Sequence, residues 1–129
     1  MVPLLALSLA LAAPAPAKAP AATALTVEEE AFVSGLVEFY DALCDARAHA
    51  IRRVESGQRP EAADEFRQIA AKATELEQQA SRGQALPLWK KKIAFTTRDG
   101  AFDATTFPGA IRAFHEDMLA RERSARGSP

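Results

Sequence analysis

The chain has 129 residues, 16 of them basic and 17 acidic, with 48% hydrophobic residues and a formal net charge of −1. That length allows one small domain, and a near-neutral total argues against a dedicated nucleic-acid binder. The lone cysteine, Cys44, cannot close an intrachain disulfide, so a disulfide scaffold is excluded.

Leu4 to Ala13 is a short apolar run, and small residues and prolines follow it. Ala15-Pro16-Ala17 before Lys18 fits an A-x-A cleavage site, which predicts a signal peptide over 1–17, cut near Ala17. The run is too short to span a bilayer, which takes ~20 apolar residues. Met1-Val2-Pro3 carries no basic residue, so an Ala/Pro-rich leader is the competing reading. Export places the mature chain in the periplasm or outside the cell. Residues 18–25 read as a small-residue tether, expected to be disordered.

The fold expected for 26–122 is a small, mainly α bundle with coiled-coil character: an antiparallel helical hairpin over about 27–56 and 60–82, then a C-terminal helix over about 107–123. Thr26-Val27-Glu28-Glu29 has the form of a capping box, and Glu28 to Glu30 suit the positive end of a helix dipole. Phe32, Leu36, Phe39, Leu43, Ala46 and Ala50 recur at helical spacing, with Val33, Tyr40 and Val54 in a second row. At about 100° per residue these rows cover close to half the circumference, an arc wide enough for two partner elements. Gly57 is placed to end this helix in a left-handed conformation.

The second helix carries a narrow, alanine-rich seam: Ala62, Phe66, Ile69, Ala73, Leu76 and Ala80. A turn of about three residues makes the two helices antiparallel neighbours. Counting outward from the turn sets Ala62 near Val54, Ile69 near Arg47 and Leu76 near Tyr40. Two charges fall on apolar faces. Arg47 interrupts the row Val33–Tyr40–Val54, and Glu77 lies in the second stripe, so each needs a partner or a route to water. The counted register puts them ~12 Å apart along the axis, too far to pair with each other. Arg47 is expected to snorkel or to pair with an acid of the C-terminal part; the functional alternative is an anion-binding group between helices.

Residues 92–106 are the least helical stretch. They alternate as strands about Asp99-Gly100, a strong two-residue turn. Pairing outward from it sets Thr97 opposite Phe102, Phe95 opposite Ala104 and Ile93 opposite Thr106. A helix over 87–97 is the competing reading. The last helix takes Thr105 or Thr106 as candidate caps and shows Phe107, Ile111, Phe114 and Met118 as its stripe. Residues 121–129 read as polar with no core residue, and 123–129 as a tail. Charge is split, with 7 basic and 12 acidic residues in 18–81 and 9 basic and 5 acidic in 82–129. This is the pattern of an acidic helical hairpin clasped by a basic C-terminal part.

Candidate chemistry is sparse. His115 and Met118, one turn apart, form the residue set that could ligate a haem or a soft metal, although no C-x-x-C-H motif accompanies them; Arg47 completes this candidate ligand site. Asp41, Asp45 and His49 follow at i, i+4 and i+8, a spacing able to seat a cation, but on a face expected to be solvated. Trp89, Lys90, Lys91 and Lys92 pair an aromatic with a basic run suited to an acidic protein or, weakly, to an anionic membrane surface. Cys44 borders the apolar arc as a packed thiol, with an intermolecular disulfide as its alternative. It lies roughly 140° around the helix from His49, so the two do not make a nucleophile–base pair. No phosphate loop and no catalytic dyad is marked. The sequence therefore predicts no catalytic residue, no metal site, no cofactor and no enzyme. It predicts an exported interaction or structural module whose partner is another protein, with a ligand-binding bundle (haem, metal ion or small anion) as the alternative.

Overall fold

Thr26 opens the first helix as the capping box requires. Its hydroxyl accepts from the Glu29 backbone N–H at 3.1 Å, and its own N–H donates to the Glu29 carboxylate at 2.9 Å. The computed structural model describes residues 25–83, 94–103 and 105–127. Its elements are α1 (Val27–Glu55), α2 (Arg59–Gly83), β1 (Ala94–Thr97), β2 (Gly100–Asp103) and α3 (Phe107–Ala125). The expected architecture, mainly α with a short β-hairpin, is the one observed.

α1 ends in a two-bond Schellman turn. Gln58 N–H donates to Arg53 C=O at 2.8 Å and Gly57 N–H to Val54 C=O at 3.0 Å, with Gly57 at φ 85°. The short turn folds α2 back antiparallel. His49 and Arg53 of α1 both reach Glu65 of α2, at 3.3 and 2.7 Å, and these pairs bracket the counted register. Arg53 Nε meets Glu65 by charge rather than by an aligned hydrogen bond.

The alanines of α2 decide how the third helix lies. Ala62, Ala63, Ala70, Ala73 and Ala80 are all buried, and small side chains let α3 come backbone-close to α2. The two run antiparallel, tied by Glu77 to Arg112 at 3.1 Å and by Asp64 to Arg126 at 3.0 Å. α3 faces the side of α1 that α2 leaves open. It does so at arm's length: Tyr40, Arg47 and Phe114 span the space, and a cleft remains along the α1–α3 seam.

The core joins Leu36, Tyr40, Leu43, Phe66, Leu76, Phe107, Ile111, Phe114 and Met118. Phe95 closes its upper end, with its ring centroid 4.9 Å from that of Phe107 in an edge-on contact. Tyr40 lies 5.6 Å from Phe107 and 5.5 Å from Phe114, spacings at which aromatic edges and faces attract.

Three expectations need correction. The hairpin turns one residue earlier, at Arg98-Asp99, and pairs Thr97 with Gly100, Phe95 with Phe102 and Ala94 with Asp103. The partner slips by two residues, so each side chain keeps its face. The slip sets Arg98 and Asp99 at the tip, where both reach charged residues of α1. Thr106 occupies the N-cap position of α3 but its side chain does not cap the helix. Instead the Asp103 carboxylate accepts from the N–H groups of Thr105 and Thr106, at 2.8 and 2.9 Å, and these backbone bonds hold its pKa below the usual carboxylate range. Finally, the stretch from Arg121 on is not without core residues. α3 runs on to Ala125, which is buried, and Arg59 donates to Ser124 C=O at 2.6 Å and to Ala125 C=O at 3.2 Å.

Candidate functional site

The densest polar arrangement is a ladder along the α1–α3 cleft. Tyr40 and Arg47 are two helical turns apart and share one side of α1. The Tyr40 hydroxyl donates to Asp99 Oδ2 at 2.9 Å, and Arg47 Nη2 donates to Asp99 Oδ1 at 3.1 Å. On its other side Arg47 Nη1 lies 3.9 Å from Asp117 Oδ2, and Arg121 Nε donates to the same oxygen at 2.9 Å. The Arg47 guanidinium carbon stands 4.8 Å from the centroid of the Phe114 ring, a cation–π distance. The order Asp99, Arg47, Asp117, Arg121 alternates in sign and sums to zero.

The ladder answers the question that Arg47 posed. Its side chain is only 24% exposed, and a guanidinium so placed needs counter-charge. Two acids from the C-terminal part supply it, so Arg47 presents no uncompensated charge to an anion. Burial, followed by the hydrogen bond to Asp99, pushes the Tyr40 phenol well above the ordinary tyrosine range.

Asp41 and Asp45, one turn apart on α1, hold the other residue of the hairpin tip. Arg98 donates its backbone N–H to Asp41 at 2.8 Å, and its guanidinium forms an ion pair with Asp45. Of the carboxylates that the sequence offered as cation ligands, Asp45 therefore binds a protein cation and Asp41 a backbone N–H. His49, the third member of that row, turns to Glu65. Among the described residues no three His, Cys, Asp or Glu are grouped to hold a metal ion.

His115, Met118 and Arg47 are not brought together. Met118 is fully enclosed in the core. His115 is 31% exposed and 4.0 Å from Glu116, and lies about 160° around the α3 axis from Asp117, the residue facing Arg47. Trp89, Lys90, Lys91 and Lys92 lie outside the described residues. Cys44 is buried, and loss of solvation, with Asp99 nearby, pushes its thiol from 9.0 up to about 11. Such a thiol is a poor nucleophile near neutrality.

Of the further concavities, two are set on largely apolar floors. One, of about 330 Å³, lies at the closed end of the α1–α3 cleft, floored by Ile51, Val54, Phe66 and Ala125. The other, of about 320 Å³, lies between α1 and α2, where Leu43, Ala46 and Ile69 are flanked by His49, Glu65 and Lys72. Half-buried Phe39, packed against the core, precedes Ala46 by seven residues on the same side of α1.

The sequence led to an acid of the C-terminal part as a partner for Arg47 but did not say which: Asp99 stood out only as a turn residue, and Arg98, Asp117, Arg121 and Arg59 were not singled out. One signal was present: two acids a turn apart on α1, with a basic residue at a hairpin tip. Compared with protein-family models, curated proteins and solved structures, the chain matches none of them.

Proposed function

We propose that the protein is an exported, non-enzymatic interaction module that receives an amphipathic helix of a partner polypeptide in the groove between α1 and α2. The observation that carries this reading is the concavity between α1 and α2 lined by Leu43, Ala46 and Ile69, with Phe39 half-buried one heptad before Ala46. Phe39 to Ala46 spans seven residues, or ~10 Å of helix, enough to seat two turns of a partner. Its flanks, with Glu65 and Lys72 one side and His49 the other, offer both signs of charge to the rim of such a helix. Helix-in-groove recognition works in this way, with apolar anchors at helical spacing and polar edges that set register.

The fate of the reactive groups supports a non-enzymatic role. The Cys44 thiol is buried, Asp41 and Asp45 are held by Arg98, and Asp99 and Asp117 are held by Arg47. Export rests on the apolar run before Lys18, and puts the module in the periplasm or outside the cell.

Site-specific photo-crosslinking in the native host tests the reading. A photoreactive residue at Ala46 or Gln68 should give one discrete adduct, and the same residue at Glu116 should give none. An amphipathic helix should be recoverable from the adduct by peptide mapping. Equal labelling at all three positions, or a crosslinked segment without an apolar face, would overturn the proposal. The mature mass, read on the same material, should begin near Lys18.

A further inference from the structure

The cavity at the closed end of the α1–α3 cleft is built unlike the groove. Its floor is apolar, from Ile51 and Val54 of α1, Phe66 of α2 and Ala125 of α3, and two guanidinium groups, Arg59 and Arg121, stand at its rim. Arg59 spends Nε and Nη2 on the last carbonyls of α3, Ala125 and Ser124. Those acceptors are neutral, and Arg59 meets no carboxylate among the described residues. Arg121 spends Nε on Asp117, the acid it shares with Arg47. Arg59 Nη1 and both Nη atoms of Arg121 thus make no hydrogen bond among the described residues, and their N–H groups remain available. Glu55 is the single acid in the lining, and the Asp117 that pairs with Arg121 lies outside it, so the lining itself sets two guanidinium groups against one carboxylate.

We infer that this cavity is a binding site for a small amphipathic carboxylate, a medium-chain aliphatic or aryl-alkyl acid. The apolar body rests on Ile51 and Val54, and the carboxylate takes the free N–H groups of Arg59 and Arg121. At about 330 Å³ the cavity is at the lower end of the size range of ligand pockets, roughly 300–1,000 Å³, which suits a ligand of this class rather than a haem. Guanidinium is the group best matched to a planar carboxylate, since its N–H fork can meet both oxygens. Alternating signs along the ladder place Arg121 at the cavity end, so one positive charge of the ladder faces the site. The inference does not depend on the groove between α1 and α2.

Octanoate, 3-phenylpropanoate and octanol are the probes, titrated into the full chain with amide and methyl NMR shifts as the readout. Octanoate should bind saturably with a dissociation constant of about 1 mM or tighter, moving Val54, Phe66 and Ala125 while leaving Leu43 and Ile69 still. Octanol, which lacks the charge, should bind at least about fivefold more weakly. Arg121→Gln should weaken octanoate about tenfold and leave octanol unchanged. Arg59→Gln should do the same, but also frees the end of α3, so Arg121→Gln is the cleaner variant. Val54→Trp, which fills the cavity, should abolish binding of all three. No saturable shift at tenfold higher concentration, equal affinity for octanol and octanoate, or shifts centred on the α1–α2 groove would each overturn the assignment.

Discussion

Replacing Asp99 by Ala removes both oxygens that the hairpin tip offers to α1. Tyr40 is 3% exposed, so its hydroxyl, now without Oδ2 at 2.9 Å, faces protein rather than water. An unsatisfied buried donor costs about 1–3 kcal/mol. Arg47 keeps Asp117 at 3.9 Å and some solvent, so loss of its bond to Oδ1 adds only about 0.5–1 kcal/mol. The sum is about 1.5–4 kcal/mol, or roughly a 6–30 °C fall in Tm for a domain of this size. Urea unfolding followed by circular dichroism measures it, on the wild type, Asp99→Ala, Tyr40→Phe and the double variant. Tyr40→Phe should partly rescue Asp99→Ala, because it removes the orphaned hydroxyl, giving a coupling of about 1 kcal/mol or more. A loss under about 0.5 kcal/mol for Asp99→Ala, or strict additivity, would refute the reasoning. The chain has one tyrosine, so phenolate absorbance reports Tyr40 alone. In the folded wild type it should ionise well above 10.0, the ordinary value. In Asp99→Ala it should fall part of the way back, since burial, the larger cause, remains.

Cys44 should react with a thiol reagent about a hundredfold more slowly in the native chain than in urea near pH 8, the two-unit rise from 9.0 to about 11 acting through the thiolate fraction alone. The same raised value means that the folded state holds the proton longer than the unfolded one. Its contribution to stability is therefore complete below pH 9 and lost as pH climbs toward 11, which unfolding midpoints across that window will show. Phe107→Ala should cost about 3–5 kcal/mol, since its fully buried ring meets Tyr40, Phe95 and Phe102; hydrogen exchange should show β1 and β2 opening first, and protection equal to that of the wild type would contradict the packing. Gly57→Ala and Gly109→Ala should move thermal stability in opposite directions. At Gly57, φ 85° makes any Cβ strained, a cost of about 1 kcal/mol. Gly109 is helical with open space around it, so Ala there should stabilise by about 0.5–1 kcal/mol.

The helices were legible because their signals are local. Thr26 and Glu29 cap each other within one turn, Gly57 sits where α1 must reverse, and the spacing of Leu36, Tyr40 and Leu43 repeats with the helix period. The pairing of α1 with α2 followed from the shortness of the turn, and Glu65 reaches His49 and Arg53 across the counted register. The hairpin was visible as alternation, and its buried face was right because a slip of two residues leaves sidedness unchanged. Its turn was not, because Asp99-Gly100 is favoured locally while Asp99 is needed at the tip by Tyr40 and Arg47. That demand comes from residues 59 and 52 positions away.

The amino-acid sequence by itself determined which segments are helix, where they stop and which faces are apolar, since backbone sterics, capping and side-chain periodicity act over a few residues. Tertiary structure alone decided what the charges do. The sequence marks Arg47 as needing a partner, but the choice of Asp99 and Asp117 depends on how close α3 can come to α1. Tyr40 and Phe114 set that distance from one side and the alanines of α2 from the other. The same separation opens the cavity beneath Arg121. Coulomb pairing and cavity shape depend on distances between residues far apart in the chain, and only the packed helices set those distances.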